Sequence, residues 1–165
     1  MMPETVYLGL GSNIDPERSL RAGIRAIEAE FGHVRLSPVY QSPAVGFSGA
    51  DFLNACAGIE TGLDPAALKA WLVELEEAHG RRRDLPKFAD RTLDIDILLH
   101  GDRVGDFDGL VLPRGEILRY AHVLKPLADL VPDRRHPVTG KTFAEHWEAF
   151  EGDRNLNVVE FWPTG

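Results

Sequence analysis

Segments with strand-like alternation and segments with helical spacing follow one another along the first hundred residues, and their order limits the possible folds more than any other feature. Alternating β-branched, aromatic and apolar residues indicate strands at residues 5–10, 33–41, 52–60 and 93–99. Apolar residues spaced by three and four indicate one helix after the first strand and another after the third. The predicted order is therefore strand, helix, strand, strand, helix, strand.

This order is typical of an α+β fold of the ferredoxin-like type, in which two helices cover one face of an antiparallel sheet. Further helices are predicted near residues 122–130 and 142–150, as C-terminal helical additions to a sheet with helices on its faces. Because the chain has 165 residues and contains no internal repeat, we expect residues 1–165 to form a single domain.

The two predicted helices of the ferredoxin-like part each begin with an aspartate followed by a proline. Asp15 and Asp64 stand where a side chain caps a helix, and Pro16 and Pro65 follow at the first helical position, which tolerates the missing N–H. Gly11 is expected to end the first strand, with a tight turn of the chain directly after it. The glycines around it lack the third glycine or the lysine of a phosphate-binding loop, so we predict no direct ligand role there.

The balance of charge and the apolar pattern disfavour several classes of partner. With 18 basic and 26 acidic residues the net charge is −8, which opposes binding to nucleic acid or to an anionic membrane surface. No apolar run approaches the roughly 20 residues that cross a bilayer, and the N-terminus lacks the pattern of an export signal. The single cysteine, Cys56, has no intrachain partner. We therefore expect a cytoplasmic protein without nucleic-acid or membrane partners, and we take it to be a monomer.

Basic residues nevertheless cluster in one part of the chain. The cluster and the arginines that follow it are Arg81, Arg82, Arg83, Lys87, Arg91, Arg114, Arg119, Arg134 and Arg135. In an acidic protein such a cluster indicates a small ligand that carries phosphate, but a solvated loop has the same composition. Both interpretations stay open on these residues alone.

Two aspartates on the fourth predicted strand are the sharpest local signal. Asp94 and Asp96 share one face because side chains alternate along a strand, while Ile95 and Ile97 point to the other face. Two like charges on an apolar strand require a cation or an arginine nearby. Mg²⁺ prefers such oxygen ligands and completes its shell with water and phosphate. The alternative is a solvent-facing strand whose aspartates pair with Arg91.

The sequence KFADRTLDIDIL at residues 87–98 resembles the signature of the 6-hydroxymethyl-7,8-dihydropterin pyrophosphokinase family of folate biosynthesis. Four other segments resemble the family in its order and near its spacing: LGLGSN at 8–13, SP at 42–43, DFLN at 51–54 and GRRR at 80–83. The resemblance extends to about residue 140. It implies an enzyme that transfers diphosphate from ATP to the hydroxyl of the pterin and releases AMP.

The resemblance also implies roles for individual residues. The aspartate pair of the family binds two Mg²⁺ ions that bridge the triphosphate, which gives Asp94 and Asp96 a metal-binding and catalytic role. Arg81 and Arg91 are implied as catalytic. The implied nucleotide contacts are Arg83, Lys87, Arg114 and Arg119. The implied pterin contacts are Ser42, Pro43, Val45, Phe52, Asn54 and His122. The loop at residues 42–49 also carries apolar residues that look exposed, which indicates a pocket wall.

Five positions depart from the family pattern. Phe88 stands where tryptophan is common, and Asp90 where a small residue or proline is usual. Arg114 stands where a histidine contacts the nucleotide, Tyr120 where the next family arginine is expected, with Arg119 one residue earlier, and His122 where a second aromatic ring stacks. These departures leave two alternatives open: a divergent paralogue that acts on another pterin, and a module that binds pterin or nucleotide without catalysis. A nucleic-acid-binding domain of the same fold is disfavoured by the acidic balance.

Overall fold

The structure is a computed structural model and describes residues 3–80 and 92–160. The strands in these ranges are β1 (Glu4–Ser12), β2 (Arg35–Leu36), β3 (Val39–Ser42), β4 (Phe52–Thr61), β5 (Asp94–His100), β6 (Gly105–Phe107), β7 (Leu110–Leu112) and β8 (Asn157–Val159). The helices are α1 (Pro16–Phe31), α2 (Pro65–Ala78), α3 (Glu116–Arg119), α4 (Ala121–Leu130) and α5 (Phe143–Ala149). None of these helices is long and apolar enough to cross a membrane.

The larger sheet has six strands and all its described pairings are antiparallel. Its order is β5-β1-β4-β3-β8, and β2 also pairs with β4. β6 and β7 form a separate hairpin. Helix α1 connects β1 to β2, and α2 connects β4 to β5, so the central strands and their crossover helices follow the ferredoxin-like pattern. The predicted α+β fold is confirmed.

Helices cover both faces of this sheet. On one face, α1 and α2 pack against alternate residues of the strands, including Leu8, Ile95 and Ile97, which are fully buried. On the other face, α3, α4 and α5 pack around Tyr7 and Cys56. The second layer covers only part of its face, so the ends of β1, β4 and β5 beyond it are left open for a site.

The predicted cap of α2 is confirmed and that of α1 is wrong. The Asp64 side chain accepts a hydrogen bond from the backbone N–H of Ala67 at 2.8 Å. Asp15 instead adopts a left-handed backbone conformation (φ 49°, ψ 51°), and its side chain makes no cap bond. Its carbonyl oxygen still accepts the first helical bond, from Ser19 N at 2.9 Å. The position of the helix start is therefore as predicted, but the backbone of Asp15 forms it.

Two predicted strand boundaries also differ from the structure. The single strand expected at residues 33–41 is divided into β2 and β3 at Ser37 and Pro38. Pro38 has no N–H to donate, and the Ser37 hydroxyl replaces the lost pairing by accepting a bond from Cys56 N at 2.8 Å. β1 continues through Gly11 to Ser12, so the strand end predicted at Gly11 is wrong.

Candidate active site

A cavity of about 230 Å³ lies at the open part of the sheet, between β1, β4 and β5, the loop after β3 and the segment around α3. It brings together ten of the residues that the sequence marks as site residues: Ser42, Pro43, Val45, Phe52, Asn54, Asp94, Asp96, Arg114, Arg119 and His122. The other four, Arg81, Arg83, Lys87 and Arg91, lie outside the described residues. The cavity is therefore the candidate active site.

The two aspartates face this cavity from β5. Asp94 is in register with Gly11 of β1, and Asp96 with Gly9. Ile95, between them, is fully buried against the helices of the opposite face. Its backbone N–H donates to the carboxylate of Glu76 on α2, at 2.8 Å, in a buried bond that ties β5 to the helix. The predicted division of β5 into a carboxylate face and a core face is confirmed.

The charge of Asp96 is costly in this position. Burial and the neighbouring Asp94 carboxylate raise the pKa of Asp96 to about 7, and the guanidinium of Arg114 opposes that rise. Arg114 Nη2 lies 3.3 Å from Asp96 Oδ1. A cation bound between the two carboxylates would relieve this repulsion and favour the ionised form of Asp96.

A short network of charges borders the aspartate pair. Glu116, at the start of α3, accepts from Arg114 Nε at 2.7 Å and from Arg119 Nη2 at 2.8 Å. These bonds hold the pKa of Glu116 below its usual range against the effect of burial. Glu116 therefore holds two guanidinium groups at the rim of the cavity. Glu116 is not among the site residues expected from the sequence, although its spacing from both arginines permits the contacts.

A buried amide lies on the opposite side of the cavity from the aspartates. Asn54 of β4 donates from Nδ2 to the hydroxyl of Ser42 at the end of β3, at 2.6 Å, and both residues are buried. This bond fixes the orientation of the amide. The remaining donor and acceptor positions of Asn54 and Ser42 suit a ring that has adjacent donor and acceptor atoms.

The floor between the amide and the aspartates is bare backbone. Gly9 and Gly11 of β1 line the cavity, and a Cβ atom added at Gly11 would lie 3.2 Å from Asn54 Oδ1. One added at Gly9 would lie 3.3 Å from a methyl group of Leu98. The glycines therefore leave space in the cavity. Sequence reasoning missed this role, although their alternation on one strand face was a usable signal.

Aromatic rings line two parts of the cavity. Phe47 and Phe52 contact edge to face, with ring centroids 6.4 Å apart. The rings of Tyr120 and His122 stack at 5.3 Å and 24°. Burial lowers the pKa of His122, so the ring is neutral at pH 7. Phe47 lies in the loop that the sequence predicts as a pocket wall, whereas Tyr120 as a lining residue was missed.

The donor set fits magnesium that is bound jointly with a phosphate ligand. In residues 3–80 and 92–160 no group of three or more histidine, cysteine, aspartate or glutamate side chains is arranged to hold a metal ion. Two carboxylates on one strand face, open to a cavity, leave the other coordination positions to water and phosphate oxygens. This is how Mg²⁺ is usually bound in phosphoryl-transfer sites.

Comparisons with known proteins identify a family. The profile of the family described as 7,8-dihydro-6-hydroxymethylpterin-pyrophosphokinase (HPPK) matches residues 7–132. The Pseudomonas aeruginosa protein named 2-amino-4-hydroxy-6-hydroxymethyldihydropteridine pyrophosphokinase is 40% identical over 161 residues, which cover 94% of this chain and 98% of that protein. The protein of the same name from Aquifex aeolicus is 34% identical over 143 residues, covering 86% of this chain and 89% of its own.

Solved structures share the fold. The wild-type HPPK-DHPS protein of Plasmodium falciparum superposes with a TM-score of 0.72 at 13% identity, over 90% of this chain and 41% of that one. A structure of HPPK-DHPS in complex with substrates gives 0.72 at 11% identity, over 91% of this chain and 44% of that one. The chain thus spans less than half the length of these solved proteins. Because the family profile covers most of the sequence and the bacterial relatives match along nearly their whole length, the chain belongs to the 7,8-dihydro-6-hydroxymethylpterin-pyrophosphokinase family.

Proposed function

We propose that this pyrophosphokinase transfers the diphosphate of ATP to the hydroxyl of 6-hydroxymethyl-7,8-dihydropterin, giving the pterin diphosphate and AMP in folate biosynthesis. Asp94 and Asp96 would hold two Mg²⁺ ions with the nucleotide. The relative from Pseudomonas aeruginosa, which matches over 94% of this chain, carries the name of this activity. The family membership supports the reaction, and the geometry of the cavity supports the roles of the residues.

The observation that carries the proposal is a row of three residues across three strands. Gly11 of β1 pairs with Asn54 of β4 on one side and with Asp94 of β5 on the other. Two inter-strand spacings separate Asn54 from Asp94, or about 10 Å between their Cα atoms. A flat bicyclic ring held by Asn54 above the glycine would direct its hydroxymethyl group toward the aspartates.

The pterin end of the cavity would bind by shape and hydrogen bonding. The Asn54 amide and the Ser42 hydroxyl are buried and fixed to each other at 2.6 Å, so they meet the ring without reorganising. Phe52 contributes an aromatic face beside them, and His122 contributes a neutral imidazole ring. Pro43 and Val45 complete this wall from the loop after β3.

The phosphate end would neutralise charge. Bound Mg²⁺ would supply positive charge to the triphosphate oxygens, held by the carboxylates of Asp94 and Asp96. Arg114 and Arg119 lie at the same rim and offer guanidinium forks that remain charged and match phosphate oxygens. The chain's part in the reaction is to align the pterin oxygen with the β-phosphorus and the leaving AMP, because phosphoryl transfer depends on positioning and electrostatics.

An AMP-release assay tests the proposal directly. The native chain should release AMP from ATP in the presence of Mg²⁺ and 6-hydroxymethyl-7,8-dihydropterin, and Asp96→Ala should lower that rate by about a hundred-fold or more. Asp133→Ala removes an exposed carboxylate elsewhere and is the matched control. Circular dichroism checks that both variants fold.

The same assay separates the open alternatives. A divergent paralogue would release AMP faster with another pterin alcohol than with this one. A binding module would bind pterin or nucleotide in titration calorimetry but release no AMP with any pterin alcohol. Equal rates for the native chain and Asp96→Ala would refute the role assigned to the aspartate.

A further inference from the structure

We propose that Arg114 has two successive partners: its guanidinium is the counter-ion of Asp96 before metal binds, and it pairs with the nucleotide phosphates once metal and nucleotide are bound. The inference rests on the proposed function, since it takes Asp96 as a metal ligand. It goes beyond that function because it assigns Arg114 two successive partners.

The first partner is visible in the structure. Arg114 Nη2 lies 3.3 Å from Asp96 Oδ1, and both side chains are only partly exposed at the cavity. The backbone of Arg114 is fixed against β5, the strand that carries Asp96, because its N–H donates to the carbonyl of Leu98 at 3.0 Å. The guanidinium therefore stands beside a metal-binding oxygen as a feature of the fold. A cation bound at that oxygen would therefore lie in contact with the guanidinium of Arg114.

The second carboxylate of the network makes the transfer feasible. Arg114 forms an ion pair with Asp96 through Nη2, at 3.3 Å, and donates a hydrogen bond to Glu116 through Nε, at 2.7 Å. When a metal ion takes the Asp96 oxygen, the guanidinium can turn away and keep its bond to Glu116, so its charge is not left buried without a partner. Glu116 also holds Arg119 at 2.8 Å. It is a positioning residue that keeps two guanidinium groups at the phosphate end.

This arrangement predicts effects of opposite sign for two ligands. A positive charge next to Asp96 repels a metal ion that arrives alone, so removing it should strengthen binding of the free cation. The same charge attracts phosphate, so removing it should weaken binding of the metal–nucleotide complex. Substitution of a residue that only stabilises the fold would not strengthen binding of one ligand and weaken binding of the other. A nearby lysine, Lys69, also acts on Asp96, so the change should be partial.

The test measures Mn²⁺ binding to the full chain without nucleotide. The concentration of free Mn²⁺ is monitored by electron paramagnetic resonance. Arg114→Gln should bind Mn²⁺ about ten-fold more tightly than the native chain, a change equivalent to about 1.4 kcal/mol. It should bind a non-hydrolysable ATP analogue with Mg²⁺ about ten-fold more weakly in calorimetry. Arg103→Gln is the matched control, because Arg103 forms a comparable ion pair with Glu4 at 3.0 Å, away from the cavity. It should leave both affinities unchanged.

Asp96→Asn separates failure of this inference from failure of the proposed function. If Asp96→Asn loses Mn²⁺ binding while Arg114→Gln binds Mn²⁺ no better than the native chain, the counter-ion role is overturned and the metal site stands. If Asp96→Asn binds Mn²⁺ as well as the native chain, the metal site and this inference are overturned together. If no protein in the set binds Mn²⁺ without nucleotide, the counter-ion role is overturned, whereas a metal site that needs a phosphate ligand stands. Tighter Mn²⁺ binding combined with weaker nucleotide binding in Arg114→Gln supports the inference.

Discussion

When no cation is bound, the raised pKa of Asp96 makes this carboxyl a source of instability that a single substitution should remove. Between about pH 4 and pH 7 the folded protein holds a proton on Asp96 that the unfolded chain has already released. The folded state then binds more protons than the unfolded state, so the free energy of unfolding falls as the pH rises through this window. Asp96→Asn has no such proton and should escape that loss.

The size of the effect follows from the pKa and the exposure of the carboxyl. A pKa of about 7 in place of an ordinary 3.8 would lower the free energy of unfolding by about 4 kcal/mol above pH 7, at 1.36 kcal/mol per pH unit and without solvent screening. The Asp96 side chain is 33% exposed, so solvent screening reduces the net effect to about 1–2 kcal/mol. For a chain of this size that is a rise in Tm of roughly 2–8 °C.

The assay is urea unfolding in EDTA at pH 5 and pH 8, followed by tryptophan fluorescence. Asp96→Asn should be more stable than the native chain at pH 8, and this advantage should shrink at pH 5. Asp133→Asn makes the same chemical change at an exposed position and should show no such dependence. The reasoning is refuted if Asp96→Asn is no more stable than the native chain at pH 8, or if its advantage is the same at both pH values.

Three further predictions concern the pterin end and the core. Asn54→Ala should weaken pterin binding about ten-fold in a fluorescence titration, because it removes the fixed amide; an unchanged Kd would exclude Asn54 as a ligand. Gly11→Val should raise the KM for the pterin, because its side chain would enter the cavity and its Cβ atom would lie 3.2 Å from Asn54 Oδ1; an unchanged KM would contradict the glycine floor. Cys56 should not react with a thiol reagent until the protein unfolds, because it is fully buried and burial raises the pKa of its thiol; rapid labelling of the native protein would contradict this.

The central fold was predictable because its elements carry strong periodic patterns. The burial of Ile95 and Ile97 with Asp94 and Asp96 on the opposite face follows from alternation along one strand. The buried apolar face of α1 follows in the same way from apolar residues spaced three and four positions apart. Both are local patterns, so no knowledge of distant contacts was needed to predict them.

Elements that depend on distant partners were not predictable in this way. β8 has three residues and exists through its pairing with β3, so the sequence near residues 157–159 carries little signal of its own. The break after β2 had a local signal in Pro38, but the bond that the Ser37 hydroxyl accepts from Cys56 N, nineteen residues away, depends on the folded sheet. The left-handed conformation of Asp15 likewise departs from the usual preference of a capping aspartate.

The candidate site divides along the same line. The residues that line its cavity could be singled out where they lie in segments that resemble the family, as with Asn54 and Asp96; their pterin and phosphate roles stay predictions. Glu116 was missed because a glutamate in a short helix has no distinctive pattern, and its importance comes from the two arginines it bonds. Gly9 and Gly11 were missed as lining residues because the sequence suggested a turn there, whereas the strand continues.

Anomalous diffraction from crystals grown with Mn²⁺ and a non-hydrolysable ATP analogue tests the central claim most directly. Two manganese peaks are expected in the cavity, each bound to the carboxylate oxygens of Asp94 or Asp96 at about 2.1 Å and to phosphate oxygens. Manganese that binds the analogue but contacts neither carboxylate would contradict it.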